Sequence, residues 1–402
     1  MRVTILGTSL IVVLLAAILL PRSITAYGLR TTDFTNFYAA GSIVLHGQRR
    51  QLYDPRTQEP VLRPLLRGDY YSFEYFIHPP FEALLFVPLA RLSFVNAFVA
   101  WTCFGLWILA ALPLILMPCV PLIQRKPSLA LLGFIFFPAL ATLKMGQDSI
   151  VLLLILSAAY CLMQSSKPVA AGLVLCLAAI KFQYLIVLAP LLLLERRFRL
   201  FAALCAGAAC LALLSVWTVG LAGILSYVRL AGSVSHHLEF LKQVNARGFV
   251  FALGSRHVLF WSGMVSLAIF GVAILIARIH SQAQQPLAFA AYLVVAVLAS
   301  PYAHFSDVTV LLLSLLLAID WLISQPHRGT SAKLLALAAG LMFAVPYVLI
   351  VAWPHYARMY LMFPVLLFFF LALVGEIYSS RAAVLAQPSR APANLNAAGR
   401  TI

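Results

Sequence analysis

The sequence consists mainly of long apolar runs separated by short polar segments, and this pattern restricts the fold more than any other feature. Hydrophobic residues make up 63% of the 402 residues, charged residues make up 10%, and the mean hydropathy is +0.98. Soluble domains of this size carry more charge, whereas a helix of ~20 apolar residues crosses a bilayer. The runs do not alternate with period two, so helices are expected rather than barrel strands. The pattern predicts an all-α polytopic membrane protein.

The apolar runs predict twelve spans and a cytosolic location for both termini. The predicted spans are residues 3–20, 95–117, 129–143, 150–163, 169–180, 185–194, 200–222, 258–277, 287–299, 308–323, 334–353 and 359–378. This arrangement puts 13 Lys and Arg residues on one side and nine of the 12 acidic residues on the other. Positive charge is typical of cytoplasmic loops. One membrane domain is expected over residues 1–378, followed by a disordered cytosolic tail over 379–402.

The polar segments predict an external loop and two hairpins. Residues 21–92 form the first external loop, with a surface helix that starts after Asp33 and stops at Gly47, and a second surface or re-entrant helix over 83–92. The runs over 129–163 and 169–194 are too short to be pairs of full spans, and we predict hairpins with outward tips at 144–148 and 181–184. Interrupted apolar segments often line a polar site.

Charge, cysteine placement and motifs exclude several classes of protein. The net charge is +16, but the basic residues are spread over short loops, so no nucleic-acid partner is predicted. Nearly all of the six cysteines fall in apolar runs, which argues against a disulfide framework and a zinc site. Nucleotide-binding loops and metalloprotease motifs are missing from the sequence.

Ionisable side chains gather at the predicted external ends of the helices. Such groups are costly at membrane depth and are therefore candidates for function. Structural roles stay open at this point: Asp33, Asp148 and Asp307 can cap helices, and Lys181 can reach the interface as a snorkelling lysine. The candidates are Asp33, His78, Gln147, Asp148, Lys181, Gln183, Arg247, His304 and Asp307.

Three blocks of short motifs resemble glycosyltransferase family 87. The first block runs from Asp33-Phe34 through Tyr38-Ala39-Ala40-Gly41 to Pro79-Pro80-Phe81. The second contains Gly146-Gln147 and Lys181, and the third is Ser300-Pro301-Tyr302 with His304 and Asp307. The resemblance implies a GT-C type fold with surface helices in the first external loop.

The same resemblance implies a hexosyltransferase of the cell envelope. It implies transfer of mannose from a polyprenyl-phosphate donor to a lipid or glycan acceptor, outside the cytoplasmic membrane, and it puts the catalytic aspartate at Asp33. We expect an inverting displacement with Asp33 as general base and with Lys181, His304 and Arg247 binding the donor phosphate. No cofactor and no metal are expected. The alternative is a polytopic transporter or lipid flippase.

Overall fold

The computed structural model describes residues 32–65, 75–126, 129, 131–234, 240–324, 329–353 and 358–386. Regular structure in these ranges is entirely helical. The α-helices are α1 (Phe34–Leu45), α2 (Pro55–Leu62), α3 (Pro80–Phe86), α4 (Phe94–Leu116), α5 (Pro121–Arg125), α6 (Leu132–Ile135), α7 (Phe137–Met145), α8 (Ser149–Gln164), α9 (Pro168–Leu175), α10 (Phe182–Leu194), α11 (Phe198–Val234), α12 (Ala246–Ala252), α13 (Val258–Ile279), α14 (Gln285–Leu298), α15 (Leu311–Ser324), α16 (Thr330–Ala352) and α17 (Met362–Ala386).

The prediction of an all-α polytopic membrane protein is confirmed. In the described ranges, seven helical segments are long and apolar enough to cross a membrane by length and composition. One of the seven is Pro168–Leu194, which contains α9 and α10 and whose path is described next. Large apolar side chains point outward from several of them, for example Leu213 at 70% and Val351 at 81% exposure. Such surfaces are stable in contact with lipid and not in water. The predicted span over 3–20 lies outside the described residues, and the total of twelve stays a prediction.

The segment formed by α9 and α10 folds back on itself, as the hairpin prediction requires. Lys181, between the two helices, contacts Ser149, the first residue of α8. Pro168 and Arg197, at the two ends of the segment, line one cavity together with Met163 near the other end of α8. Helix α9 therefore runs back beside α8 toward the first residue of α8, and α10 returns in the opposite direction. The reversal occurs at Lys181, where φ is −124° and ψ is 75°.

The other hairpin, α7 and α8, meets it at the same end of the bundle. Its tip turns at Gly146, whose φ of +67° ends α7 in the left-handed conformation. A side chain at Gly146 would bring its Cβ atom within 2.6 Å of the Phe34 Cβ atom, so glycine lets the tip pack against α1. Asp148 of this tip lies 3.0 Å from the Lys181 ammonium group. Both predicted tips thus point to one end of the bundle.

The helices of the first loop pack around an aromatic cluster at this end. The predicted first surface helix is confirmed as α1, which ends just before Gly47 with its φ of +80°. Phe34, Phe37 and Phe86 are buried there, so α1 packs against α3 and does not merely lie on a membrane surface. The second predicted helix, over 83–92, is displaced. It starts at Pro80 and ends at Phe86, followed by a 3₁₀ turn over Leu89–Arg91.

Two boundaries differ from the sequence expectation. Helix α11 breaks at Gly220 (φ 75°, ψ 170°) and then continues to Val234, where a loop was expected after residue 222. The Tyr227 ring in this extension lies against the Tyr53 ring of the first loop, with 5.0 Å between ring centroids and 48° between the ring planes. The last helix, α17, continues to Ala386, so residues 379–386 are helical and not part of a disordered tail. Residues 387–402 lie outside the described ranges.

One disulfide lies in a chain for which the positions of the cysteines argued against a disulfide framework. Cys119 and Cys161 form a disulfide although 42 residues separate them. Cys119 follows α4 and Cys161 lies in α8, and these two helices pack side by side. The sequence does not show which apolar helices are neighbours, and so it gave no indication of this pair.

Candidate active site

Asp33 lies at the start of α1 but does not cap it. Its backbone is helical (φ −64°, ψ −18°), and its side chain accepts no hydrogen bond from the first turn. Instead, the Gln147 amide group donates from Nε2 to Asp33 Oδ2. The prediction that Asp33 occupies the cap position is confirmed, but the capping role is wrong. Because its side chain is only partly buried, Asp33 keeps a face toward solvent.

Gln147 reaches Asp33 because the hairpin tip is held on both sides. The carbonyl oxygen of Gly146 accepts a hydrogen bond of 3.0 Å from Trp101 Nε1 on α4. On the other side, Phe34 packs against Gly146. The tip is thus held between α1 and α4, and the Gln147 side chain donates to Asp33 from there. This arrangement orients the Asp33 carboxylate.

Lys181 is buried between two carboxylates, with 6% of its surface exposed. Its ammonium group lies 2.5 Å from Asp307 Oδ1, 3.0 Å from Asp148 Oδ1 and 2.7 Å from Ser149 Oγ. The ammonium group donates hydrogen bonds to Ser149 and Asp307, and it lies within ion-pair distance of Asp148. Through these contacts Lys181 joins the two hairpin tips to the loop before α15. Direct binding of the donor phosphate by Lys181 stays a prediction.

The loop before α15 brings the last block of candidates to the same place. Asp307 uses its second carboxylate oxygen, Oδ2, to accept a 2.7 Å hydrogen bond from the His304 backbone N–H. Tyr184 on α10 donates to the carbonyl oxygen of Asp307 at 3.2 Å. Burial lowers the pKa of His304, although Asp307 and Asp33 act in the opposite direction. A neutral imidazole at this position can donate a hydrogen bond but brings no charge.

His78 and Glu82 form a pair at the start of α3, next to Asp148. His78 Nδ1 lies 3.0 Å from Glu82 Oε2, and Glu82 is 1% exposed. Burial raises the pKa of Glu82 to about 7, with His78 opposing the shift and Asp148 adding to it. Burial also opposes protonation of His78, but the Glu82 carboxylate outweighs it and the pKa of His78 is raised. At neutral pH the pair therefore retains protons that an isolated glutamate and an isolated histidine would release.

His78, Glu82 and Asp148 are the described residues that could together hold a metal ion, since one ligand atom from each lies within 4.8 Å of the others. Two contacts already compensate the charges of these three side chains. His78 pairs with Glu82, and the Lys181 ammonium group lies against Asp148. A divalent cation at Asp148 would face that ammonium group, so charge repulsion disfavours metal binding here. The expectation that no metal is needed stays a prediction.

Two candidates lie away from this network. Arg247 on α12 stacks on the Phe240 ring, 4.8 Å from its centroid, and donates to the Pro301 carbonyl oxygen at 3.4 Å. It therefore borders the loop that carries His304. Gln183 is partly buried at the hairpin tip and has no hydrogen bond to the described residues. The structure does not bring Gln183 into contact with Asp33 or Lys181.

Three residues of the network were not among the sequence candidates: Glu82, Ser149 and Tyr184. Glu82 carried a detectable signal, because His78 and Glu82 are four residues apart at the start of a helix and therefore face each other. No feature of the sequence indicated Ser149 or Tyr184. Their importance depends on the approach of three segments that are distant in the sequence.

Comparison with known proteins identifies the family. A sequence model of glycosyltransferase family 87 matches residues 76–301, which is more than half of the chain. No curated protein and no solved structure matches the chain. The matched range includes Glu82, Gln147, Asp148 and Lys181, while Asp33 and His304 lie on either side of it. The chain therefore belongs to glycosyltransferase family 87 and is a membrane glycosyltransferase.

Proposed function

We propose that this glycosyltransferase moves a hexose, and specifically mannose, from a polyprenyl-phosphate donor to a hydroxyl group of a lipid or glycan acceptor. The proposal rests on one observation above all. Asp33 is a partly exposed carboxylate whose side chain is not used in helix capping and is oriented by Gln147. The preference for mannose and for a lipid-phosphate donor follows from the motifs that resemble the family.

Asp33 acts as the general base of an inverting displacement. Its carboxylate takes the proton of the acceptor hydroxyl while the acceptor oxygen forms a bond to the anomeric carbon of the sugar. The bond between that carbon and the phosphate oxygen breaks, and its electron pair leaves with the polyprenyl phosphate. A positioned base of this kind typically contributes about 10²- to 10⁴-fold in rate.

The leaving phosphate gains charge and is stabilised by donors from the loop before α15 and from α12. His304 donates a hydrogen bond from its neutral ring, and Arg247 contributes charge from the neighbouring helix. Both residues lie close to Pro301. His304 follows it by three residues, and Arg247 donates a hydrogen bond to its carbonyl oxygen. Hydrogen-bond donors aimed at developing charge stabilise a transition state strongly in a site shielded from water.

Lys181 serves as a positioning residue. It fixes Asp148 next to Gln147 and fixes Asp307 next to His304, so it couples the residue that orients Asp33 to the residue that contacts the phosphate. The chemistry as proposed uses no cofactor and no metal.

The active site faces the outer side of the cytoplasmic membrane. The support is the charge distribution: the end of the bundle that carries Asp33 and Lys181 also carries most of the acidic residues in the described ranges, while the opposite end carries the run Arg196, Arg197 and Arg199. Cationic loops favour the cytosol.

The test is sugar transfer in proteoliposomes that contain the purified protein, a labelled polyprenyl-phosphate mannose and a membrane extract as acceptor. Wild type should release polyprenyl phosphate and label the acceptor, and Asp33→Asn should do neither. Movement of intact donor across the vesicle membrane without transfer would instead indicate a flippase. Transfer that proceeds equally from nucleotide sugars would exclude the lipid-phosphate donor.

A further inference from the structure

A cavity of about 600 Å³ lies at the end of the bundle opposite Asp33, between the end of α8, the start of α9 and the start of α11. It is lined by Met163, Ser166, Pro168, Arg196, Arg197, Phe198, Arg199 and Leu200. None of these residues takes part in the proposed transfer reaction. The cavity therefore needs its own explanation.

The cavity carries more positive charge than its surroundings neutralise. Arg197 pairs with Glu195, with 2.7 Å between Nε and the carboxylate oxygen. The guanidinium groups of Arg196 and Arg199 have no ion pair with any residue in the described ranges, and both side chains are exposed. Lys167, also exposed, precedes the cavity residue Pro168. A ligand with negative charge would therefore be favoured.

The backbone at the cavity is unusual. Ser166 and Arg196 have φ values of +56° and +59°, and in the described part of the chain no other non-glycine residue has a positive φ. Each follows the end of a helix, where glycine ordinarily adopts this conformation. The sequence keeps side chains at both positions despite the strain. Residues held in strained conformations often serve a ligand.

An exposed apolar stripe leads away from the cavity along the first arm of the hairpin. Val169, Leu173 and Leu177 are spaced four residues apart and are 53%, 48% and 43% exposed. This spacing puts them on one face. Phe198, on the cavity wall, is 62% exposed. The cavity is thus lined by cationic side chains, and the exposed apolar stripe begins next to it.

We propose that this cavity binds the head group of an anionic phospholipid, with the acyl chains lying along the stripe of Val169, Leu173 and Leu177. The phosphate would contact Arg196 and Arg199, and the chains would cover apolar surface that no protein helix covers. Basic pockets between membrane helices are known to recognise anionic head groups. A free phosphate ion shares the head-group chemistry but not the chains.

The experiment is native mass spectrometry of the delipidated full-length protein in a neutral detergent. Phosphatidylglycerol is titrated against phosphatidylcholine of the same chains, with glycerol phosphate and inorganic phosphate as competitors. The variant is Arg196→Gly with Arg199→Gln. Glycine favours the left-handed backbone at residue 196, so this change does not threaten the fold. Lys333→Gln, an exposed cation on α16 outside the cavity, is the matched control.

We expect phosphatidylglycerol to bind more tightly than phosphatidylcholine and the double variant to lose about 25-fold in affinity, roughly fivefold for each charge removed. Lys333→Gln should bind like wild type. Unchanged affinity in the double variant, or equal binding of the two lipids, would overturn the proposal. Competition by glycerol phosphate or inorganic phosphate at the same concentration as the lipid would reveal a soluble-anion site and overturn it as well.

Discussion

Asp33 accepts a hydrogen bond from the side-chain amide of Gln147, a residue 114 positions later in the chain. The contact joins the segment before α4 to the tip of the first hairpin. It also decides between two roles for Asp33. A capping aspartate accepts from backbone N–H groups of its own helix, whereas this carboxylate accepts no such bond and instead accepts from a side chain of a separate element.

Asp33→Asn should abolish sugar transfer without unfolding the protein. Asparagine is nearly isosteric and still accepts a hydrogen bond from Gln147, but it cannot take a proton from an acceptor hydroxyl. We expect a rate at most a few per cent of wild type, consistent with a loss of about 10²- to 10⁴-fold. Donor binding and the melting temperature should match wild type. Near-normal transfer by this variant would exclude Asp33 as the base.

Gln147→Ala should reduce the rate through the orientation of Asp33 and not through stability. The variant removes one partly buried hydrogen bond, which costs about 1 kcal/mol or less. We expect a fall of roughly 10-fold in kcat, with little change in the KM for the donor and in melting temperature. Gln164→Ala removes a similar amide that contacts Gln285 at the opposite end of α8, and it serves as the control. An unchanged kcat in Gln147→Ala would show that Asp33 needs no such support.

Lys181→Met should destabilise the protein, because Asp148 and Asp307 would stay buried without a cation. Removal of one partner from a buried ion pair costs about 3–5 kcal/mol. The purified variant should therefore melt well below wild type. Lys181→Met combined with Asp148→Asn and Asp307→Asn should recover much of this loss. A Lys181→Met protein with normal melting temperature and lost donor binding would instead restore a direct role of Lys181 in phosphate binding.

Stability should fall as the pH rises from about 5 to 8. The pKa of Glu82 is raised from 4.5 to about 7, so the folded protein binds more protons than the unfolded chain in this window. The raised pKa of His78 acts in the same direction: its stabilisation is present below pH 6.5 and is lost as the pH rises through the folded pKa. The shift of Glu82 alone corresponds to a loss on the order of 3 kcal/mol over this window, because one pKa unit corresponds to about 1.4 kcal/mol.

The pH effect is measured as the melting temperature of wild type and Glu82→Gln at several pH values. Glu82→Gln removes one titrating group and the partner that raises the pKa of His78, so its melting temperature should depend less on pH. Asp54→Asn, which changes an exposed residue at the start of α2, should keep the wild-type slope. The same slope in Glu82→Gln and wild type would show that the pair does not control this dependence.

The two ends of the second hairpin should be accessible from opposite sides of the membrane. Single cysteines at Gln183 and Arg199 are introduced into a protein whose six native cysteines are replaced. An impermeant thiol reagent added outside intact cells should label Gln183→Cys, and Arg199→Cys should react only after the membrane is opened. Labelling of both from the same side would contradict the return of the chain at Lys181.

The sequence by itself determined the membrane class, the positions of most helices, the hairpins and the family. Apolar run length is sufficient for this purpose, since a membrane helix satisfies its own backbone hydrogen bonds and must present an apolar surface. Helix α13 therefore begins at Val258 as predicted, and α4 differs by one residue at each end. Ionisable side chains are energetically costly at membrane depth, and on this ground the sequence alone indicated Asp33, Lys181 and Asp307 as candidates.

Only the tertiary structure decided which partners these groups have. Asp148, Lys181 and Asp307 come from three separate segments, and their sequence does not show that one ammonium group lies within ion-pair distance of both carboxylates. The role of an ionisable group depends on its partners in a medium of low dielectric constant, where a paired lysine is structural and an unpaired one would bind a ligand. Hydropathy is a property of each segment, whereas pairing is a property of their packing.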